Sequence, residues 1–328
     1  MTRVSVGGRL HFGFQNLSLA HRRLYGGVGV ALGTPRLVLT AGRHDAVDCP
    51  EDGARPYVER AVDCLDVPGA TVTVEEPLPR HAGLGSGTQL ALAALVAVAG
   101  AYDQSVDPRE RAPALGRGGR SGIGVATFER GGFVVDGGHP TELFTTAPPE
   151  PGEWAVPPVV ARHTLPTDWR FVVAVPDTEP GPSGEQEDAS MRSVVESADP
   201  GIAEDVAQLV TQHLLPAAAT GDRPAFGEAV ARLGRLNGAW YADEQGGVYR
   251  PPAGRVIEAL SGVPAATGVG QSSWGPSVYA LTSAGNADKV ADAARETLDA
   301  IGGGEVLVTT PRNEGATVTD DHATAADD

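Results

Sequence analysis

The stretch HAGLGSGTQLALAALVAVAG, residues 81–100, leaves the chain little freedom. Gly83, Gly85 and Gly87 alternate with Leu84, Ser86 and Thr88, and almost nothing polar follows before Gly100. A helix apolar on every side belongs in a core, so this one anchors the turn that precedes it. Glycine permits a tight turn and lets a ligand approach the backbone. The free N–H groups and positive dipole end of a helix start favour phosphate or carboxylate, and Ser86 and Thr88 add hydroxyls. The plainer alternative is a turn capped by Ser86 or Thr88. The loop lacks the lysine of a P-loop, and Thr88 breaks G-x-G-x-x-G.

The rest of the chain reads as an α+β protein of two domains. Strands are expected at 3–12, at one or two short segments after a turn within 25–42, and at 70–79, 169–176 and 305–310. Helical spacing marks 54–65, 104–116, 200–220, 222–237, 252–262 and 286–301. Residues 121–139 read as a helix or strand, a Gly-Gly turn and a strand ending in DGGH. Residues 140–160 are proline-rich without periodicity, which puts the domain boundary at 150/151. Residues 313–328 hold five acids and no Lys or Arg, the composition of a disordered tail.

The formal net charge is −17, and Lys289 is the only lysine among 25 basic residues. Such a surface repels nucleic acid. Acid excess with almost no lysine suits a salt-rich, halophilic cytosol, where self-repulsion is screened. No run reaches the roughly 18–20 apolar residues of a membrane helix, and MTRVSVGGRLHFGF has no apolar signal core. A cytoplasmic protein with no membrane partner is expected. Cys49 and Cys64 cannot build a disulfide framework, and neither sits in a CxxC.

PLPRHAGLGSGTQLALA (77–93) resembles the phosphate loop of the GHMP superfamily, the group of galactokinase, homoserine kinase and mevalonate kinase. GVGQSSWGPSVYAL (268–281) resembles that group's C-terminal glycine motif. The resemblance spans roughly 3–310. It implies a first domain like domain 2 of ribosomal protein S5, with a left-handed crossover, and a ferredoxin-like second domain. Kinases of the group usually carry S-G-x-D after the loop helix, where the aspartate activates the acceptor hydroxyl. Here the segment is SGIG, with Gly124 in that place, and no lysine lies near to neutralise a phosphoryl group.

A narrower resemblance covers GRLHFGFQNLSLAHRRLYGGVGVAL (8–32), GRGGRSGIGVATFERGGFVVDGGH (116–139) and PSGEQE (182–187). These are similar to the β-ribofuranosylaminobenzene 5′-phosphate synthase family. It implies a transferase that joins phosphoribosyl pyrophosphate to 4-aminobenzoate or 4-hydroxybenzoate with loss of CO2 and pyrophosphate, in methanopterin-type biosynthesis. It also implies Mg2+ on the pyrophosphate, no organic cofactor, and a homodimer. Residues 83–88 would grip pyrophosphate, with arginine replacing lysine as the clamp. Arg9, Arg22, Arg23, Arg117 and Arg120 are the candidates, and solvated surface charge is the alternative for each. His11, Arg120, Asp136, His139 and Glu187 fall at expected catalytic positions. Asp136 is a possible Mg2+ ligand or a cap of the turn at Gly137, and Glu185 and Glu187 are loop acids otherwise. Tyr25, Gly26, Gly27, Ser121, Gln271, Ser272, Ser273 and Trp274 would contact substrate, Trp274 by stacking on the aromatic ring or else as ordinary core. Two other readings stand beside this one: an ATP-dependent small-molecule kinase, and a nucleotide-binding protein without catalysis.

Overall fold

The computed structural model describes residues 1–144, 153–178 and 185–320, without the side chains of 185–188. Among these, a first sheet of eight strands comprises β1 (Thr2–Asn16), β2 (Arg23–Arg43), β3 (Val47–Asp48), β4 (Ala70–Glu76), β5 (Phe133–Asp136), β6 (His139–Pro140), β7 (Val159–His163) and β12 (Thr317–Asp320). A second sheet comprises β8 (Trp169–Pro176), β9 (Gly268–Gln271), β10 (Val278–Ser283) and β11 (Gly304–Thr309). The helices are α1 (Arg55–Leu65), α2 (Ser86–Ala101), α3 (Pro108–Arg111), α4 (Ile123–Arg130), α5 (Glu185–Ser197), α6 (Pro200–Leu209), α7 (Leu215–Thr220), α8 (Arg223–Gln245), α9 (Ala253–Ser261) and α10 (Ala287–Asp299).

The second sheet runs β11-β8-β10-β9 with every neighbouring pair antiparallel. Helices fill the β8–β9 and β10–β11 connections, which gives the βαββαβ order of a ferredoxin-like fold. In the first sheet β1 and β2 form the central antiparallel pair, and β3 lies parallel to β4 with α1 between them in sequence.

Local sequence accounts for the helices that frame the site. In α1, Val58, Ala61, Val62 and Leu65 are buried at the spacing of one helical face. Its first turn carries Pro56, where the missing N–H costs nothing. α2 buries residues on all sides, including Ala91 to Leu95 and Ala97 to Ala99. It packs against β1, β2 and α1, so the loop at its head is held by the core. One apolar cluster joins Leu10, Phe12 and Val30 of the first sheet to Phe171, Tyr279 and Phe226 of the second layer.

Several expectations are corrected. Residues 23–43 form one long strand, because the glycines read as turn signals make close approaches instead: a Cβ on Gly29 would lie 2.4 Å from the Leu10 carbonyl oxygen. The helix expected over 104–116 shrinks to α3, capped by Asp107. Thr317–Asp320 is no loose tail but an edge strand on β1, with the Thr2 hydroxyl donating to Asp320 at 2.6 Å. Residues 321–328 lie outside the described residues. The expected boundary at 150/151 also falls outside them, while β7 beyond it pairs with β5 of the first sheet. No helix among the described residues is long and apolar enough to cross a membrane.

Candidate active site

The glycine turn ends in Gly85, whose φ of 81° is left-handed, and α2 starts at Ser86. The Thr88 and Gln89 amides both return to the Gly85 carbonyl at 3.1 Å. The Ser86 and Gly87 amides find no acceptor among the described residues. Two N–H groups therefore stand open at the positive end of a buried helix. The turn is clamped from three directions. Leu84 is buried and its carbonyl accepts from the Arg9 amide at 2.9 Å. Arg9 Nη1 donates to the Gly83 carbonyl at 2.6 Å, and the Ser272 hydroxyl donates to the same oxygen at 2.8 Å. The Ser277 hydroxyl donates to the Ala82 carbonyl. Gly83 must be glycine: its φ is 78°, and a Cβ would lie 2.5 Å from the Ser272 carbonyl oxygen.

A cleft of about 750 Å3 opens over this turn. Arg9, Arg80, Arg117 and His81 line it against a single acid, Glu51. In a chain of net charge −17 this is a local inversion of sign, and low-dielectric walls would focus it on an anion. Arg117 stacks over Tyr57 with its guanidinium carbon 5.2 Å from the ring centre, and its Nη2 donates to the Tyr57 hydroxyl at 3.1 Å. The same guanidinium reaches within 3.3 Å of where a Gly87 Cβ would be. Leu37, Val74, Leu78 and Leu90 form an apolar wall to the cleft.

On the inner side of β1, His11, Ser121 and Asp136 form a chain. His11 Nε2 is 3.1 Å from the Ser121 hydroxyl, and that hydroxyl donates to Asp136 Oδ2 at 3.3 Å. The Asp136 carboxylate also accepts from the amides of Gly122 (2.8 Å), Gly138 (3.0 Å) and Gly27. Burial pushes its pKa up to about 6, against the pull of those donors. Burial, aided by the Arg9 charge, lowers the His11 pKa to about 3, so the ring is neutral. Gly27 makes room for this chain: a Cβ there would meet Ser121 Oγ at 2.3 Å and Asp136 Oδ2 at 2.8 Å. Tyr25 and Gly26 take left-handed backbones, φ 68° and 80°, as the strand bends toward Asp136. Arg120 is half-buried on the turn just before Ser121. His139 is buried, its ring 4.6 Å from Trp154, and burial lowers its pKa.

The expected site residues thus divide. Residues 83–88, Arg9 and Arg117 meet at the cleft. His11, Ser121, Asp136 and Gly27 meet behind it. The two groups are joined because the His11 amide donates to Ser272 Oγ at 3.1 Å and the Ser273 amide to the His11 carbonyl at 3.0 Å. Of the two readings of Asp136, Mg2+ ligand or cap of the turn at Gly137, the geometry displays capping contacts: its carboxylate anchors the amides of Gly122, Gly138 and Gly27. Arg22 is exposed, and Arg23 clamps the turn at Gly137, whose carbonyl its Nε reaches at 2.6 Å, so neither lines the cleft. Gln271 is spent internally, accepting from the Arg250 amide at 3.0 Å and donating to the Ser273 carbonyl at 3.1 Å. Trp274 packs on Tyr241 at 4.6 Å between ring centres and lines both the cleft and a narrow crevice beside His11. Glu185 and Glu187 lie in α5, with side chains outside the described residues. Arg80, His81, Glu51 and Tyr57 were not anticipated. The one sequence signal for the first two was their place directly before the glycine turn.

A family model described as GHMP kinases N terminal domain matches residues 56–132, and one described as GHMP kinases C terminal matches 214–300. The structure is similar to homoserine kinase from Cytophaga hutchinsonii (TM-score 0.66, 19% identity, 97% of each chain covered). It is similar also to Streptococcus pneumoniae phosphomevalonate kinase (TM-score 0.67, 14% identity, 94% of this chain and 99% of that one). At those identities the likeness shows the fold. Among sequence relatives, beta-ribofuranosylphenol 5'-phosphate synthase of Methanothermobacter thermautotrophicus is 33% identical over 95% of this chain and 97% of its own length. The chain belongs to the beta-ribofuranosylphenol 5'-phosphate synthase family. The synthase of the same name from Archaeoglobus fulgidus is 35% identical over 86% of this chain and 88% of its own length. This member of the beta-ribofuranosylphenol 5'-phosphate synthase family has the GHMP fold, and its Gly124 abuts the phosphate loop. A Cβ on Gly124 would lie 2.9 Å from Thr88 Cγ2. The threonine methyl fills the ground that an acidic side chain at 124 would need.

Proposed function

We propose that this chain condenses phosphoribosyl pyrophosphate with 4-hydroxybenzoate or 4-aminobenzoate, releasing CO2 and pyrophosphate, in the cytoplasm. The named relatives make a ribofuranosylphenol phosphate, the product expected from the hydroxy acid. The anomeric carbon–oxygen bond breaks and its electron pair leaves with pyrophosphate. The ring carbon that bears the carboxylate supplies the pair for the new carbon–carbon bond. The carboxylate then leaves as CO2, its bonding pair restoring the aromatic ring, with no net proton transferred. The donor is an α-diphosphate and the product a β-riboside, so the arene attacks from the face opposite the leaving group.

The observation that carries this reading is the pair of open amides at Ser86 and Gly87 beneath the Arg117 guanidinium. Fixed donors placed where leaving-group charge develops lower the barrier without reorganising. Arg9 holds the loop and adds charge. His11, being neutral, supports Ser121 rather than an anion, and Asp136 acts as a positioning residue for the turn bearing Arg120. Mg2+ would find side-chain oxygens in the cleft at Glu51, Ser86 and Thr88, with Tyr57 and Ser273 also lining it, and would be shared with the diphosphate. Among the described residues no three His, Cys, Asp or Glu side chains converge to hold a metal alone. When bound, Mg2+ would neutralise part of the leaving charge.

The test is incubation in high salt with phosphoribosyl pyrophosphate, Mg2+ and each benzoate, following CO2 and pyrophosphate together. Equimolar release supports the reading. No CO2 with either acid, or ADP formation when ATP is supplied with a hydroxyl acceptor, overturns it.

A further inference from the structure

Phosphoribosyl pyrophosphate carries anions at both ends, and the glycine turn accounts for one. We propose that Arg80 holds the other, forming a subsite for the 5-phosphate of a pentose donor at the outer end of the same cleft. The inference rests on the function proposed above for its choice of ligand, but its geometry is independent of it.

Arg80 lines the cleft, and it has no hydrogen bond or carboxylate partner among the described residues. Its side chain lies across Gly53, with Nη1 1.9 Å from where a Cβ on that glycine would be. Gly53 stands at the head of α1, and Tyr57 follows within its first turn. Tyr57 is the platform for Arg117, and its hydroxyl is 3.1 Å from the Cβ position of Gly87. Arg80 beside Gly53 and Arg117 over Tyr57 are thus both placed at the head of α1, and both line the cleft. A pentose donor with an anion at each end of its furanose ring calls for two separate cationic contacts. A single pyrophosphate does not need both arginines. The cleft, about 750 Å3, has room for the whole donor. An arginine fork gives a terminal phosphate two parallel hydrogen bonds. Glu51 is the one acid facing this space, and a Mg2+ riding on the diphosphate would offset it.

The experiment titrates the full chain, by calorimetry, with ribose 5-phosphate, pyrophosphate and phosphoribosyl pyrophosphate in turn. Arg80→Ala should weaken ribose 5-phosphate and phosphoribosyl pyrophosphate about tenfold or more, the scale of a lost charge-assisted pair, and leave pyrophosphate within about twofold. Arg117→Ala should do the reverse to the two fragments. Arg80 is exposed, so Arg80→Ala should melt like the parent, and Arg80→Lys should recover part of the affinity. Unchanged ribose 5-phosphate binding in Arg80→Ala, or an equal loss for both fragments, overturns the subsite. The CO2 assay on the parent chain separates the two ideas. No CO2 alongside an Arg80-dependent sugar phosphate site rejects the reaction and keeps the subsite. CO2 release with unchanged KM in Arg80→Ala does the opposite.

Discussion

The Ser272 hydroxyl donates to the Gly83 carbonyl at 2.8 Å, tying two glycine turns that lie 189 residues apart. Ser272 Oγ in turn accepts from the His11 amide at 3.1 Å. Ser272 is fully buried, so no water replaces it. Ser272→Ala leaves the His11 amide without an acceptor and the loop with one clamp fewer. Stability should fall by about 2–3 kcal/mol, read from a denaturant titration. Because Arg9 still holds Gly83, the loop should loosen rather than collapse, and KM for phosphoribosyl pyrophosphate should rise more than kcat falls.

Gly27 and Gly234 make a matched pair of tests. A methyl on Gly27 would drive into Ser121, Ile123 and Asp136, with contacts of 2.3 to 2.8 Å. Gly27→Ala should cost about 2–4 kcal/mol, typical of overpacking with the loss of a buried polar network. Gly234 lies inside α8, and a Cβ there meets nothing within 4 Å. Gly234→Ala should be neutral or stabilising by about 0.5–1 kcal/mol. Equal melting shifts in the two variants would mean that the packing at Ser121 and Asp136 is looser than described.

The glycine turn was legible because its signals are local: alternating glycines with left-handed backbones at Gly83 and Gly85, and an uninterrupted apolar run behind them. Its partner at 272–277 was legible as a second glycine motif. The long strand β2 was not, since glycine reads as a breaker in sequence while its reason here is distant. Gly29 faces Leu10 and Gly33 faces Thr310. Pro35 is tolerated because four residues swing out between the pairings of Ala31 with Arg9 and Arg36 with Gly7. Asp136 read equally as a Mg2+ ligand or as a cap of the turn at Gly137, and only the fold shows three amides donating to its oxygens. Arg80 carried no signal beyond its place before the glycine turn, because the Gly53 turn it lies across is 27 residues away in sequence.

Gly124→Asp restores the residue that kinases of this fold usually carry, yet it should not restore a kinase. The new side chain would press on Thr88 Cγ2, 2.9 Å from its first carbon. The expected result is a loss of about 1–3 kcal/mol in stability and no ADP formation from ATP with any hydroxyl acceptor. Coupled-enzyme detection of ADP checks the second part. Turnover of ATP by this variant would show that Thr88 yields and that one missing carboxylate was all that separated the two chemistries.

His11 and Asp136 should leave opposite marks on the pH dependence of stability. The unfolded chain protonates His11 at the ordinary value of 6.5, and the folded chain only near 3. The unfolded state binds the proton first, so acidification through that window removes stability, about 5 kcal/mol in full. Asp136 works the other way. Its folded carboxyl protonates near 6 and its unfolded one near 3.8, so acidification adds about 3 kcal/mol. Between pH 6 and 4 the two largely cancel in the parent chain. His11→Gln keeps a hydrogen-bonding side chain beside Ser121 and removes the histidine contribution. The stability of the variant relative to the parent should therefore climb by about 3 kcal/mol from pH 7 to pH 4. Urea titrations at fixed high salt measure this difference, in which the many surface carboxylates common to both chains drop out. Parallel curves for the two chains would mean that His11 titrates as a solvated ring and that the space behind the glycine turn is open to water.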